Sequence, residues 1–145
     1  MAITQAICNT FKKELLDGDH NFGSGGDVFK LALYTSAATL DSSTTVYTST
    51  NEVAASGQYV AGGGTLVNSG TSVVSGVAFC DFADLSFTGV TLTARGALIY
   101  NTSATVANAA VAVLDFSSDK TATSGTFTIV FPADTSAAAI LRISG

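Results

Sequence analysis

Charge is scarce in this chain: Asp, Glu, Lys and Arg make up 12% of its 145 residues, against roughly 25% in ordinary soluble domains. Few side chains are left to move protons, hold metals or grip phosphates. Tryptophan is missing and histidine occurs once, as His20, so the usual base beside a nucleophilic Ser or Cys has one possible source. Six residues are basic, and only Lys12 and Lys13 adjoin. With a net charge of −5 and a pI near 4.4, the chain lacks the clustered cations that displace counterions from a phosphate backbone. Nucleic acid is not an expected partner. Long apolar runs are also missing; none approaches the roughly 20 residues of a membrane-spanning helix, so no membrane partner is expected. The lysines follow the first apolar residues instead of preceding them, the wrong order for a secretory leader.

Cysteine and proline are sparse too. Cys8 and Cys80 stand far apart and match no zinc or redox spacing. Cys8 falls on the apolar side of a predicted helix and Cys80 between Phe79 and Phe82 of a predicted strand, so two buried free thiols are expected. Pro132 is the only proline, so few strand edges are protected in that way.

What fills the chain is Thr, Ser, Gly and Ala around a 47% hydrophobic content, enough for a core without metal or disulfide staples. The length predicts one domain over residues 1–145. Ile3, Ile7, Phe11 and Leu15 recur every four residues, which predicts a helix over 4–16, with Thr4 as N-cap and Gly18 as stop signal. Beyond Gly18 the pattern turns to β, over about 28–143. Phe29, Leu31 and Leu33 alternate with Lys30, Ala32 and Tyr34. Further strands are predicted at 58–61, 64–68, 71–82, 88–100, 107–116, 124–131 and 138–143, with a short one at 44–48. Turns are expected at Gly62-Gly63-Gly64, Ser69-Gly70, Asn101-Thr102-Ser103 and Ser117-Ser118-Asp119. Helix–strand alternation is absent. The expected fold is mainly β: an antiparallel β-sandwich or jelly-roll-like barrel with one N-terminal amphipathic helix.

Candidate chemistry is thin. Asp81 with Asp84, and Asp115 with Asp119, are the carboxylate pairs a glycosidase would need, but they sit at strand ends and in a predicted hairpin. His20 lies in a polar link after the helix, where exposure or capping is expected. The glycine clusters lead into no helix carrying Lys-Ser/Thr, so they are not phosphate loops. Asp17, Asp19 and Asn21 alternate like the opening of a calcium loop, without its glycine and terminal glutamate. Asn101-Thr102-Ser103 matches a glycosylation sequon and reads as a turn. Arg95, alone in an uncharged strand, is expected to pair with a nearby Asp or a partner. No catalytic, cofactor or metal residue is assigned, and a structural or binding protein is expected instead of an enzyme.

Several blocks carry a resemblance: Ile3 to Leu16, His20-Asn21-Phe22, Phe29 to Ser36, Thr50-Asn51-Glu52-Val53, Ala94 to Asn101, Leu114-Asp115-Phe116 and Phe127 to Pro132. In order, and over nearly the whole chain, they resemble a family of small structural proteins of tailed bacteriophages. The resemblance implies a virion component, with capsid decoration (cement) as the leading role. Such a protein sits on the capsid exterior, a trimer being favoured, and contacts the major capsid protein or other virion proteins. The alternative is a tail- or fibre-associated module binding a host receptor or other tail proteins. The segment expected to touch a partner is the excursion holding Leu40, Asp41, Ser42, Ser43, Thr44, Thr45, Val46 and Tyr47, because loops carry recognition while strands carry packing.

Overall fold

A computed structural model describes residues 2–145. These residues hold two antiparallel sheets and one short helix joined by long loops, the mainly β architecture expected from the strand spacing. The first sheet has five strands. They are β1 (Ala6–Ile7), β2 (Phe29–Tyr34), β3 (Gly64–Thr65), β6 (Leu85–Asn101) and β7 (Ala109–Ile129), in the order β1-β7-β6-β2-β3. The second has three, β4 (Asn68–Val74), β5 (Val77–Phe82) and β8 (Leu141–Ile143), in the order β4-β5-β8.

The helix, α1 (Asn9–Leu16), starts later than predicted. Thr4 does not cap it; Cys8 holds the N-cap position in extended conformation without a side-chain cap. Ahead of it, Ala6 and Ile7 pair with Val113 and Ala112 of β7, and the Thr4 amide donates to the Leu40 carbonyl. Spacing by four had joined two different elements. The β-branched Ile3 and Ile7 fit extended backbone well: the edge of β7 offers Ile7 a ladder, and Ile3 bridges Leu40. The predicted stop holds: Gly18 adopts φ +80°, and the amides of Gly18 and Asp19 bond back to the carbonyls of Leu15 and Glu14.

β6 and β7 form one long hairpin of 17 and 21 residues. The predicted strands at 107–116 and 124–131 are parts of β7, and the expected turn at Ser117-Ser118-Asp119 is a bulge inside it. Gly96 faces Asp115 and Ala94 faces Lys120, so residues 116 to 119 stand opposite Arg95 alone. The reverse correction applies at 71–82. That run breaks into β4 and β5 around Ser75-Gly76, whose positive φ values (51° and 79°) suit a two-residue hairpin turn. The predicted strands at 44–48 and 58–61 shrink to single bridges, Val46 with Ala109 and Ser56 with Tyr59. Of 64–68, β3 forms at Gly64–Thr65 and Asn68 already belongs to β4; of 138–143 only β8 forms.

The centre of the first sheet is buried on both faces. Leu31, Ala32, Leu33, Tyr34, Ala97, Leu98, Val111 and Val113 are fully enclosed, which is why these stretches read as near-continuous apolar runs. A file of aromatic rings ties helix and sheets together. Phe11 meets Phe22 edge-on at 5.9 Å, Phe22 stacks on Phe29 at 4.3 Å, Phe29 lies 5.8 Å from Phe82, and Phe82 lies 5.7 Å from Phe131.

Candidate functional site

The densest polar arrangement is one that sequence reading missed. All four tyrosines, Tyr34, Tyr47, Tyr59 and Tyr100, gather around Glu52. Tyr47 Oη donates to Glu52 Oε2 at 2.6 Å, while Tyr59 Oη and the Gly62 amide donate to Oε1, each at 2.7 Å. Tyr59 Oη also accepts the Leu33 amide at 2.8 Å, fixing the excursion to β2. Tyr34 and Tyr100 donate away from the carboxylate, to the carbonyls of Thr48 and Gly62, and the Tyr47 and Tyr100 rings stack at 4.8 Å. Burial, with the Glu52 charge adding to it, raises every one of these phenols, Tyr100 to about 12 and the others further. With its oxygens taken up by three donors, Glu52 acts as a structural clasp. Its only signal was the Asn51-Glu52-Val53 block, and no periodicity links tyrosines so far apart in sequence.

The lone histidine is a second correction. Its side chain is fully buried, not exposed. His20 Nε2 lies 3.0 Å from Glu14 Oε1, and Asn101 Nδ2 lies 2.9 Å from His20 Nδ1. Since the amide can only donate, Nδ1 accepts and Nε2 carries the proton toward Glu14. Asn101 Nδ2 also donates to Asp27 Oδ2 at 2.8 Å, and its Oδ1 accepts the Ser103 amide. The imidazole, packed edge-on against Phe11 at 4.8 Å, links α1 to the tip of the β6–β7 hairpin. Both ring nitrogens are occupied, so it presents no free base. Asn101 of the sequon is equally enclosed, ending β6 and not standing in the turn itself.

The remaining candidates do not converge. Asp17 pairs with Lys13 at 2.6 Å, Asp19 accepts from Thr105, and Asn21 caps the Gly23 amide. Among the described residues no three His, Cys, Asp or Glu side chains are grouped to hold a metal ion. Arg95 meets Asp115 at 3.2 Å; the Ser117 amide first, and this guanidinium after it, hold the Asp115 carboxyl below its ordinary range. Asp81 is almost fully buried with Oδ1 unpartnered, and that desolvation raises its carboxyl. Both cysteines are free and buried, which lifts Cys8 to about 11 and Cys80 to about 12, leaving thiols and not thiolates.

No family model, curated protein or solved structure matches this chain.

Of the predicted contact segment, Leu40 points inward, 1% exposed and bridged to Ile3. Asp41 accepts both the amide and the hydroxyl of Ser43, and its own amide donates to Thr44 Oγ1. The Ser42 carbonyl accepts from the Asn9 amide, the Thr45 carbonyl from Ala110, and the Tyr47 amide donates to Asn108. Ser43, Thr45 and Val46 remain exposed on this pinned excursion.

A second surface lies on the half of the β6–β7 hairpin away from its turn. One face buries Phe87, Val90, Leu92, Phe127 and Ile129. The other is a hydroxyl lattice, with Ser86 against Thr128 at 2.8 Å and Thr93 against Thr121 at 2.9 Å. The β6 edge is closed by residues 56–58. Gln58 bonds Thr88 in both directions, Ser56 Oγ accepts the Thr91 amide, and Gly57 sits so close to the Gly89 carbonyl that a Cβ would lie 2.1 Å from it. The β7 edge is different. β1 covers it at Ala112 and Val113, and Gln5 Oε1 takes the Asp115 amide. Past Asp115, among the described residues, no strand pairs with β7 on that side.

Proposed function

We propose that this protein is a non-enzymatic structural component of a tailed-bacteriophage virion, a capsid decoration protein on the outer shell. In this reading it assembles as a trimer and braces the major capsid protein through broad protein–protein contacts. The observation that carries the reading is the outer β6–β7 ribbon, with its uncharged hydroxyl face and the unpaired β7 edge beside it. A Ser/Thr face forms contacts without the large cost of desolvating charges. An open, proline-free edge accepts a strand from a neighbour. The resemblance of the ordered sequence blocks to phage structural proteins is consistent with the same reading, and the pinned excursion around Ser43, Thr45 and Val46 offers a second contact surface.

The decisive measurement is the number of copies per particle, taken by quantitative mass spectrometry of purified virions that contain the chain. A shell protein is expected at tens to hundreds of copies. A handful of copies would move the protein to the tail and overturn the decoration role.

A further inference from the structure

The single imidazole of the chain sits in a hydrogen-bond chain whose direction is set at both ends. Glu14 Oε1 stands 3.0 Å from His20 Nε2, and Asn101 Nδ2 stands 2.9 Å from Nδ1. The Asn101 amide has no freedom to turn over while the ring is neutral. Its second Nδ2 proton goes to Asp27 Oδ2 at 2.8 Å, and its Oδ1 takes the Ser103 amide at 2.8 Å. Ser103 Oγ in turn accepts the Val28 amide at 3.0 Å, and the Thr102 amide and hydroxyl both donate to the Val28 carbonyl at 2.9 Å. Through Asn101, the turn after β6 is fastened to the loop before β2. The side chain of His20 and the whole of Asn101 are closed to water, so no solvent molecule stands ready to replace a lost partner.

We propose that His20 is a proton switch: acidification turns the Asn101 amide over and frees the turn at residues 102–108 from the loop before β2. Imidazole is the side chain that takes up a proton within about pH 5 to 8, and the protonated ring donates from both nitrogens. Nε2–H keeps its bond to Glu14, which supplies the counter-charge. Nδ1–H then points at the Nδ2 donor of Asn101, an opposition that a dry site does not tolerate. Turning the amide over sets Oδ1 against the ring and relieves it. The same turn places Oδ1 against Asp27 Oδ2 and Nδ2 against the Ser103 amide, so both bonds that Asn101 makes beyond the ring are lost. The charged groups around the ring are Glu14 from α1, Asp27 across Asn101, and Asp19, the preceding residue, which accepts from Thr105 Oγ1 at 3.2 Å. Lys13 also feels Glu14 but is paired with Asp17, and the buried Cys8 thiol stays neutral. The device uses neither the β7 edge nor the hydroxyl face, so it stands or falls apart from the virion role.

An NMR titration of the isotopically labelled chain from about pH 8 to about pH 5 tests the proposal. The His20 ring nitrogens should report one proton taken up. The Asn101 side-chain amide and the backbone amides of Ser103 and Val28 should shift with the same midpoint, Ser103 in the direction of a broken hydrogen bond. Leu98 and Val113, in the centre of the first sheet, should stay fixed. His20→Gln, which takes up no proton in this range, should erase every one of these shifts. A ring that stays neutral throughout, or one that titrates while Asn101 and Ser103 stay still, would overturn the proposal. Shifts that persist in His20→Gln would assign the titration to a neighbouring carboxylate and overturn it equally, as would unfolding of the whole chain at the same midpoint. Where His20→Gln fails to fold, the shared or separate midpoints in the unaltered chain decide.

Discussion

At the scale of single residues, stability rests on groups that accept several donors at once. Glu52 takes two phenols and one amide. Glu52→Ala takes the acceptor from Tyr47 and the Gly62 amide and leaves Tyr59 only its long contact to the Leu33 carbonyl, at 3.4 Å; a loss of about 3 kcal/mol is expected in urea unfolding, with Glu52→Gln costing about half as much. A cost near zero for Glu52→Ala would show that the clasp is decoration. The phenols around it make a second prediction. Their folded pKa values lie above the ordinary value of 10.0, so folding favours the protonated form. That stabilisation is complete below about pH 10 and is lost as pH rises through the folded values. Ultraviolet titration should show no tyrosinate in the native chain near pH 10, then ionisation together with unfolding at higher pH. Independent titration of four phenols near pH 10 would contradict the burial described here. Neither feature was legible in the sequence. Tyr34 and Tyr100 were placed on strands, and Tyr47 in the excursion, but only the folded chain reveals that they converge on one carboxylate. His20 failed for a related reason: its neighbours in sequence are polar, while its partners, Glu14 and Asn101, lie 6 and 81 residues away.

At the scale of elements, turns and close approaches set the register. Gly63 adopts φ +80° with its Cα against the Leu31 carbonyl, where a Cβ would stand 1.8 Å from the oxygen. Gly76 has nearly the same φ, +79°, but opens to empty space at the β4–β5 tip. Gly76→Ala should therefore cost only about 1–2 kcal/mol, the left-handed penalty alone. Gly63→Ala must also push β2 away from the turn before β3 and should cost well over 3 kcal/mol, or prevent folding. Similar melting temperatures for the two variants would refute this. These elements also mark how far sequence patterns reach. The alternation of β2 and the apolar runs of β6 and β7 were readable because burial imposes them. The boundaries were not: Ser117-Ser118-Asp119 has turn chemistry yet is spent on a bulge, and Ser75-Gly76 turns the chain inside what read as one strand. Whether a polar triplet ends a strand or bulges from it depends on the partner strand, here the single Arg95 opposite.

At the scale of the whole molecule, the two ends of the chain's fold are not assembled in the order they are made. Gln5 bonds Asp115 across 110 residues, and β1 pairs with β7 alone. During synthesis at roughly 5–20 residues per second, the N-terminal segment must wait several seconds for the strand that completes it. Ile3 can meet Leu40 and Phe11 can meet Phe22 early, but until β7 is made Ala6 and Ile7 have no strand to pair with. Loop closure over such a span makes folding slow for a protein of this size. A tag or fusion at the amino end that hinders the union of β1 with β7 would therefore lower the yield of soluble protein more than one placed after β8.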